Sequence, residues 1–90
     1  MYENEVQKAQ ERLNAALTLA KNQPEEAINM ILDMEKWVDE TLPNDCPEYF
    51  GVVITYNEVM GDLKQRQRKL VEAEPYYKKM AKYAQQLNEL

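Results

Sequence analysis

Apolar residues in the first forty positions return every three or four residues, the step of a helix face and not of a strand. Val6, Ala9, Leu13, Ala16, Leu17 and Ala20 make one stripe, which predicts a first helix from about Asn4 to Lys21. Asn22-Gln23-Pro24 breaks it. Proline at a first helical position loses nothing, because that amide has no intrahelical acceptor. Glu25 and Glu26 follow, where the positive end of the helix dipole favours carboxylates. Ala27, Ile31, Met34 and Val38, widened by Ile28, Leu32 and Trp37, predict a second helix from Pro24 to about Thr41.

Leu42-Pro43-Asn44-Asp45-Cys46-Pro47 gathers two prolines and several turn formers, so it predicts the clearest loop, with Asp45 or Cys46 capping a third helix. The run Phe50-Gly51-Val52-Val53-Ile54-Thr55-Tyr56 has local strand character, but nothing else alternates with period two to pair with it. Val53, Tyr56, Met60 and Leu63 keep the helical step, so helix is expected from about Glu48 to Gln67, weakened by Gly51 and Gly61. Gln65–Lys69 holds no glycine or proline, which leaves open whether this helix stops near Gln67 or runs to Glu74. Ala73, Tyr77, Met80, Ala84 and Leu87 predict the last helix. Pro75 is tolerable within a first turn, which sets the start of that helix near Val71 or Glu72.

One spacing occurs twice. Gly61 is followed after twelve residues by Ala73, and Ala15 after twelve by Ala27; each pair member is offset from its counterpart by 46. Small residues so placed let antiparallel helices approach closely. The expected fold is all-α: four antiparallel helices as two stacked helical hairpins in one domain, with repeat one at about 4–42 and repeat two at about 46–90. Stacked hairpins of this kind mostly bind other proteins. Two repeats leave end faces uncovered, which predicts self-association through an end face or a place in a larger array.

Leu70-Val71-Glu72-Ala73-Glu74-Pro75-Tyr76-Tyr77-Lys78-Lys79-Met80 resembles the second helix of a tetratricopeptide repeat, and most of all the longer repeats of kinesin light chains. Tyr56-Asn57-Glu58-Val59-Met60-Gly61 is similar to the first helix of the same repeat, and Leu42–Pro47 resembles its linker. Ala15, Ala27, Ile31 and Met34 would be matching positions of an earlier, diverged repeat. Lys64 departs from this pattern where an aromatic is usual, and Arg68 where a glycine often makes the turn. The resemblance implies a groove lined by the first helix of each repeat, receiving a peptide or helix of a partner protein. Carried over by position, that groove would show Arg12 from the first repeat, with Thr55, Glu58, Asp62, Gln65 and Arg66 from the second. Ala9 and Ala16 also map to it, but they lie on the apolar stripe and are left to the core.

Charge sharpens this picture. The formal net charge is −5, yet residues 1–50 carry four basic and eleven acidic side chains while residues 51–90 carry seven and five. An acidic chain suits a polyphosphate poorly, so no nucleic-acid partner is expected. The basic run Lys64, Arg66, Arg68, Lys69 fits an acidic protein partner, and the asymmetry suggests head-to-tail contact between copies. With no histidine and no serine, nucleophilic triads and histidine metal sites are unavailable, and two glycines make no phosphate loop. Asp39–Asp45 clusters oxygen groups but lacks the glycine of a calcium loop.

The chain is therefore expected to be non-enzymatic and to need no cofactor or metal. A lone Cys46 and the lack of any long apolar run or basic-then-apolar leader point to the cytoplasm and away from membranes. Trp37 and Tyr76, at stripe edges, are the aromatic candidates for partner contact. The other reading is a compact four-helix regulator or inhibitor, of phage or secretion type, blocking a target through its outer surface.

Overall fold

Four helices joined by short turns account for nearly the whole chain in a computed structural model describing residues 1–90. They are α1 (Glu3–Leu19), α2 (Pro24–Thr41), α3 (Pro47–Arg66) and α4 (Leu70–Asn88), with no strand. The fold is all-α, and each short turn sets its two helices antiparallel. No helix is long and apolar enough to cross a membrane.

Local chemistry explains most boundaries. Pro24 and the carboxylates Glu25 and Glu26 open α2, which spans the range that its sequence pattern predicts. α1 stops short of the predicted Lys21, where the amides of Lys21 and Asn22 tighten into three-residue turns onto the Thr18 and Leu19 carbonyls, at 3.4 and 3.2 Å. Cys46 is the N-cap of α3, yet its thiol does not cap the helix; Sγ donates instead to the Pro43 carbonyl at 3.1 Å. The β-branched run Val52–Thr55 is helical throughout. Packing overrides its strand preference.

α3 ends at Arg66, so the break lies beside Gln67 and not at Glu74. The amide of Lys69 bonds the Lys64 carbonyl and that of Arg68 bonds the Gln65 carbonyl, each at 2.9 Å. This pair of bonds satisfies helix-end carbonyls when the residue after the cap turns left-handed. That residue is Arg68, at φ 61°. α4 then begins at Leu70, which leaves Pro75 inside the helix and beyond its first turn, contrary to the expectation from sequence. The helix hydrogen bond that residue 75 would give to the Val71 carbonyl is absent, and both residues are exposed, so water can take its place.

The core belongs chiefly to α3, which supplies ten of the twenty buried residues. α1 adds Ala9, Leu13 and Ala16, α2 adds Ala27, Ile28, Ile31, Met34 and Val38, and α4 adds Ala73 alone. Of the two spaced pairs of small residues, Gly61 with Ala73 is buried as expected. In the other, Ala27 is buried but Ala15 is exposed, and the neighbouring Ala16 takes the interior place. At Gly61 an added Cβ would lie 2.7 Å from the Tyr77 ring, so only glycine admits the ring there.

The helices form an open ladder. α1 packs on α2, both pack on α3, and α4 touches α3 only. A closed four-helix bundle would bring its first and last helices together. Here they do not meet, and the molecule is a flat body of 35 × 25 × 16 Å. Toward the end of α4, Tyr83 is held by Tyr49 and Phe50, at ring-centroid distances of 6.5 and 6.1 Å.

A left-handed conformation costs a side-chain-bearing residue roughly 1–2 kcal/mol. Arg68→Gly is therefore expected to raise the unfolding free energy by about 1 kcal/mol. A β-branched Arg68→Val should lower it by a similar amount. Urea titrations of the three chains check both signs.

Candidate functional site

Glu48, Gly51, Thr55, Glu58 and Asp62 follow one another along α3 at steps of three and four residues, so they share one stripe. It is the least covered face of α3. Thr55 and Glu58 are exposed, and Glu48, Gly51 and Asp62 are half-buried. Beside this stripe, Val6, Ala9, Gln10 and Leu13 of α1 and Glu48, Gly51, Val52 and Thr55 of α3 enclose a groove of about 220 Å³. Its floor is apolar and its edges are an amide, a carboxylate and a hydroxyl. Convergence of a few polar groups on an apolar hollow is the usual composition of a binding site.

Gly51 gives the groove its room. A Cβ built there meets nothing within 4 Å, so no neighbour requires a glycine. Thr55 donates its hydroxyl to the Gly51 carbonyl at 3.0 Å, which turns the oxygen lone pairs toward any incoming donor. Glu48 and Glu58 enter no ion pair of the chain. No lysine or arginine lines the groove.

The expected site residues separate into two groups. Thr55, Glu58, Asp62, Gln65 and Arg66 share the open side of α3, as their spacing requires. Asp62 and Gln65 are already engaged: the Tyr77 hydroxyl donates to Asp62 Oδ1 at 2.6 Å and lies 3.0 Å from Gln65 Oε1. The hydrogen bond to Asp62, with some burial, pushes the Tyr77 hydroxyl up to about 12 from an ordinary 10.0. Arg12 is elsewhere. Its guanidinium sits 4.7 Å over the Trp37 ring of α2, and it borders a hollow with Met30, Asp33 and Met34. Arg12 and Trp37 therefore stack on each other within the first hairpin. Tyr76 is half-buried against the core, with Lys79 Nζ 5.8 Å over its ring.

Two further features lie outside the sequence expectation. A shallower hollow of about 560 Å³ opens at the far end of α4, over Asn44, Asp45, Tyr49, Phe50, Lys82 and Tyr83. Tyr49 donates to Asp39 Oδ1 at 2.9 Å beside it, and burial first, then that carboxylate, pushes the Tyr49 hydroxyl up. The oxygen-rich stretch Asp39–Asp45 gathers no group of three or more metal-binding side chains. Lys64, which stands at a core-facing place, has its side chain only 15% exposed and pairs with Glu72 at 3.4 Å.

Comparison with family models, curated proteins and solved structures finds no match for this chain. Geometry and chemistry therefore carry the functional reading.

The two glycines separate packing from function. Gly51→Ala is expected to stabilise the fold by about 0.5–1 kcal/mol, because helix propensity improves and nothing is displaced. Gly61→Ala must push the Tyr77 ring off its seat and break a hydrogen bond to a carboxylate, costing about 1.5–3 kcal/mol. That exceeds the propensity gain, so Gly61→Ala should be less stable than the native chain. Thermal unfolding of the pair checks the opposite signs.

Proposed function

We propose that this chain is a non-enzymatic protein-interaction module of tetratricopeptide-like design, an adaptor or chaperone-like part. It takes an extended peptide or a helix of a partner protein in the groove between α1 and α3. The observation that carries this reading is Gly51. A glycine inside a helix costs roughly 0.5–1 kcal/mol relative to alanine. At Gly61 the Tyr77 ring accounts for that cost, while at Gly51 no neighbour does. The space is kept for something outside the chain.

The open ladder supports the same reading, because a helix pair stacked on the next leaves its first helices side by side along one uncovered face. The groups on that face are suited to holding a partner: Gln10 and Thr55 to an extended backbone, Glu48 and Glu58 to cationic side chains. The reading calls on no catalytic group, metal or cofactor. The free thiol of Cys46 accords with a reducing compartment such as the cytoplasm.

The outer surface of α2 supports the second reading, a regulator that blocks a target. Glu25, Glu26, Asp33, Asp39 and Glu40 are exposed there around an exposed Leu32, with Lys36 the cation among them. Affinity capture from source-cell lysate separates the two. Gly51→Phe fills the groove and leaves every charge in place, so a groove-bound partner should be lost from it. Asp33→Asn with Glu40→Gln should retain that partner. The reverse pattern would transfer the site to the outer face of α2.

A further inference from the structure

The most exposed large apolar side chains inside the chain are neighbours. Leu70 is 63% and Val71 84% exposed, and they directly follow Arg66-Gln67-Arg68-Lys69. Arg66, Arg68 and Lys69 are all exposed, and none joins an ion pair of the chain. The segment is held in shape by the two 2.9 Å bonds that close the end of α3 and by the left-handed Arg68. The turn between α3 and α4 is thus a preformed cationic tip that leads straight into two uncovered apolar side chains.

The α1–α3 groove is its complement in both respects. Its hollow over Gly51 is apolar, the one charged side chain lining it is Glu48, and Glu58 follows on the same face of α3 beyond Thr55. The tip cannot reach the groove of its own chain. Gly51 and Arg66 stand on one continuous helix, about 22 Å apart at 1.5 Å per residue.

We propose that the Arg66–Val71 tip of one copy docks in the α1–α3 groove of a second copy. Leu70 fills the hollow beside Gly51 while Arg68 and Lys69 face Glu48 and Glu58. Tip and groove are different surfaces, so the contact is heterologous and propagates head to tail. A contact made by one short turn is expected to be weak and, being charged, salt-sensitive. This inference rests on the groove being a binding site, and it names a second copy of the chain as an occupant.

Sedimentation of the chain over a concentration series tests it. The native chain should gain mass with concentration at low salt and return to monomer at high salt. A tip-reversed chain (Arg68→Glu, Lys69→Glu) and a groove-reversed chain (Glu48→Lys, Glu58→Lys) should each stay monomeric. Mixed together, they should associate again in alternation, since the acidic tip of the first then matches the basic groove of the second and the basic tip of the second matches the acidic groove of the first. Gly51→Phe, which keeps every charge, should also lose self-association.

Circular dichroism confirms that each variant is folded. A native chain that is monomeric throughout would overturn the inference, as would association that survives tip reversal or persists in Gly51→Phe. The capture experiment above reads partner binding separately, so failure here and failure of the groove itself are distinguishable.

Discussion

α3 is the one helix on which all the others pack. It touches each of the other three helices and supplies half of the buried residues, from Tyr49 near its start to Leu63 in its last turn. Burial on so many sides explains how a helix survives over a β-branched run and two glycines. The apolar area removed from water at each of these side chains outweighs a propensity deficit of a few tenths of a kcal/mol per residue. Even its buried polar residue is served within the helix, where Asn57 Nδ2 donates to the Val53 carbonyl at 2.8 Å. One stripe of α3 stays outside this packing, and that stripe borders the groove.

The same arrangement leaves the two ends of the ladder unequal. α1 and α2 support each other as well as α3, whereas α4 leans on α3 alone and buries only Ala73 completely. That single pairing is the most extensive between any two helices, and two aromatic contacts stand out in it. Tyr77 lies over Gly61 and bonds Asp62, and Tyr83 packs on Tyr49 and Phe50. The outward side of α4 and the turn before it keep the exposed Leu70, Val71 and lysines that a closed bundle would have covered. An open edge and a vacant groove are two results of one packing choice.

Much of this was legible in the chain itself, and the failures have physical causes. Apolar periodicity with proline placement located all four helices, because those signals are local. The burial of Gly61 and Ala73 followed from spacing, whereas Ala15 did not, since a one-residue difference in helix register turns a side chain by about 100°. Pro75 was expected in a first turn and lies deeper, because an exposed helix face can lose one bond to water. On α3, Thr55, Glu58, Asp62, Gln65 and Arg66, placed together by the resemblance, do share one face, because a single helix fixes which positions do. The groove was not legible. It depends on where α1 crosses α3, and the pairing of Arg12 with Trp37 depends on how α1 meets α2. The readable trace was the run of steps from Glu48 through Gly51 and Thr55 to Glu58, with a glycine where a helix gains nothing from one.

The central claim is that α4 is held by α3 alone while α1, α2 and α3 share one core. Native-state hydrogen exchange resolved by residue tests this most directly, because it reads the free energy of opening of each helix separately. The α4 amides, such as those of Met80 and Ala84, should exchange through a local opening that leaves Met34, Val53 and Met60 protected. If the α4 amides exchange only with global unfolding, at the same free energy as the α3 core, α4 is not a separable edge of the ladder and that claim is wrong.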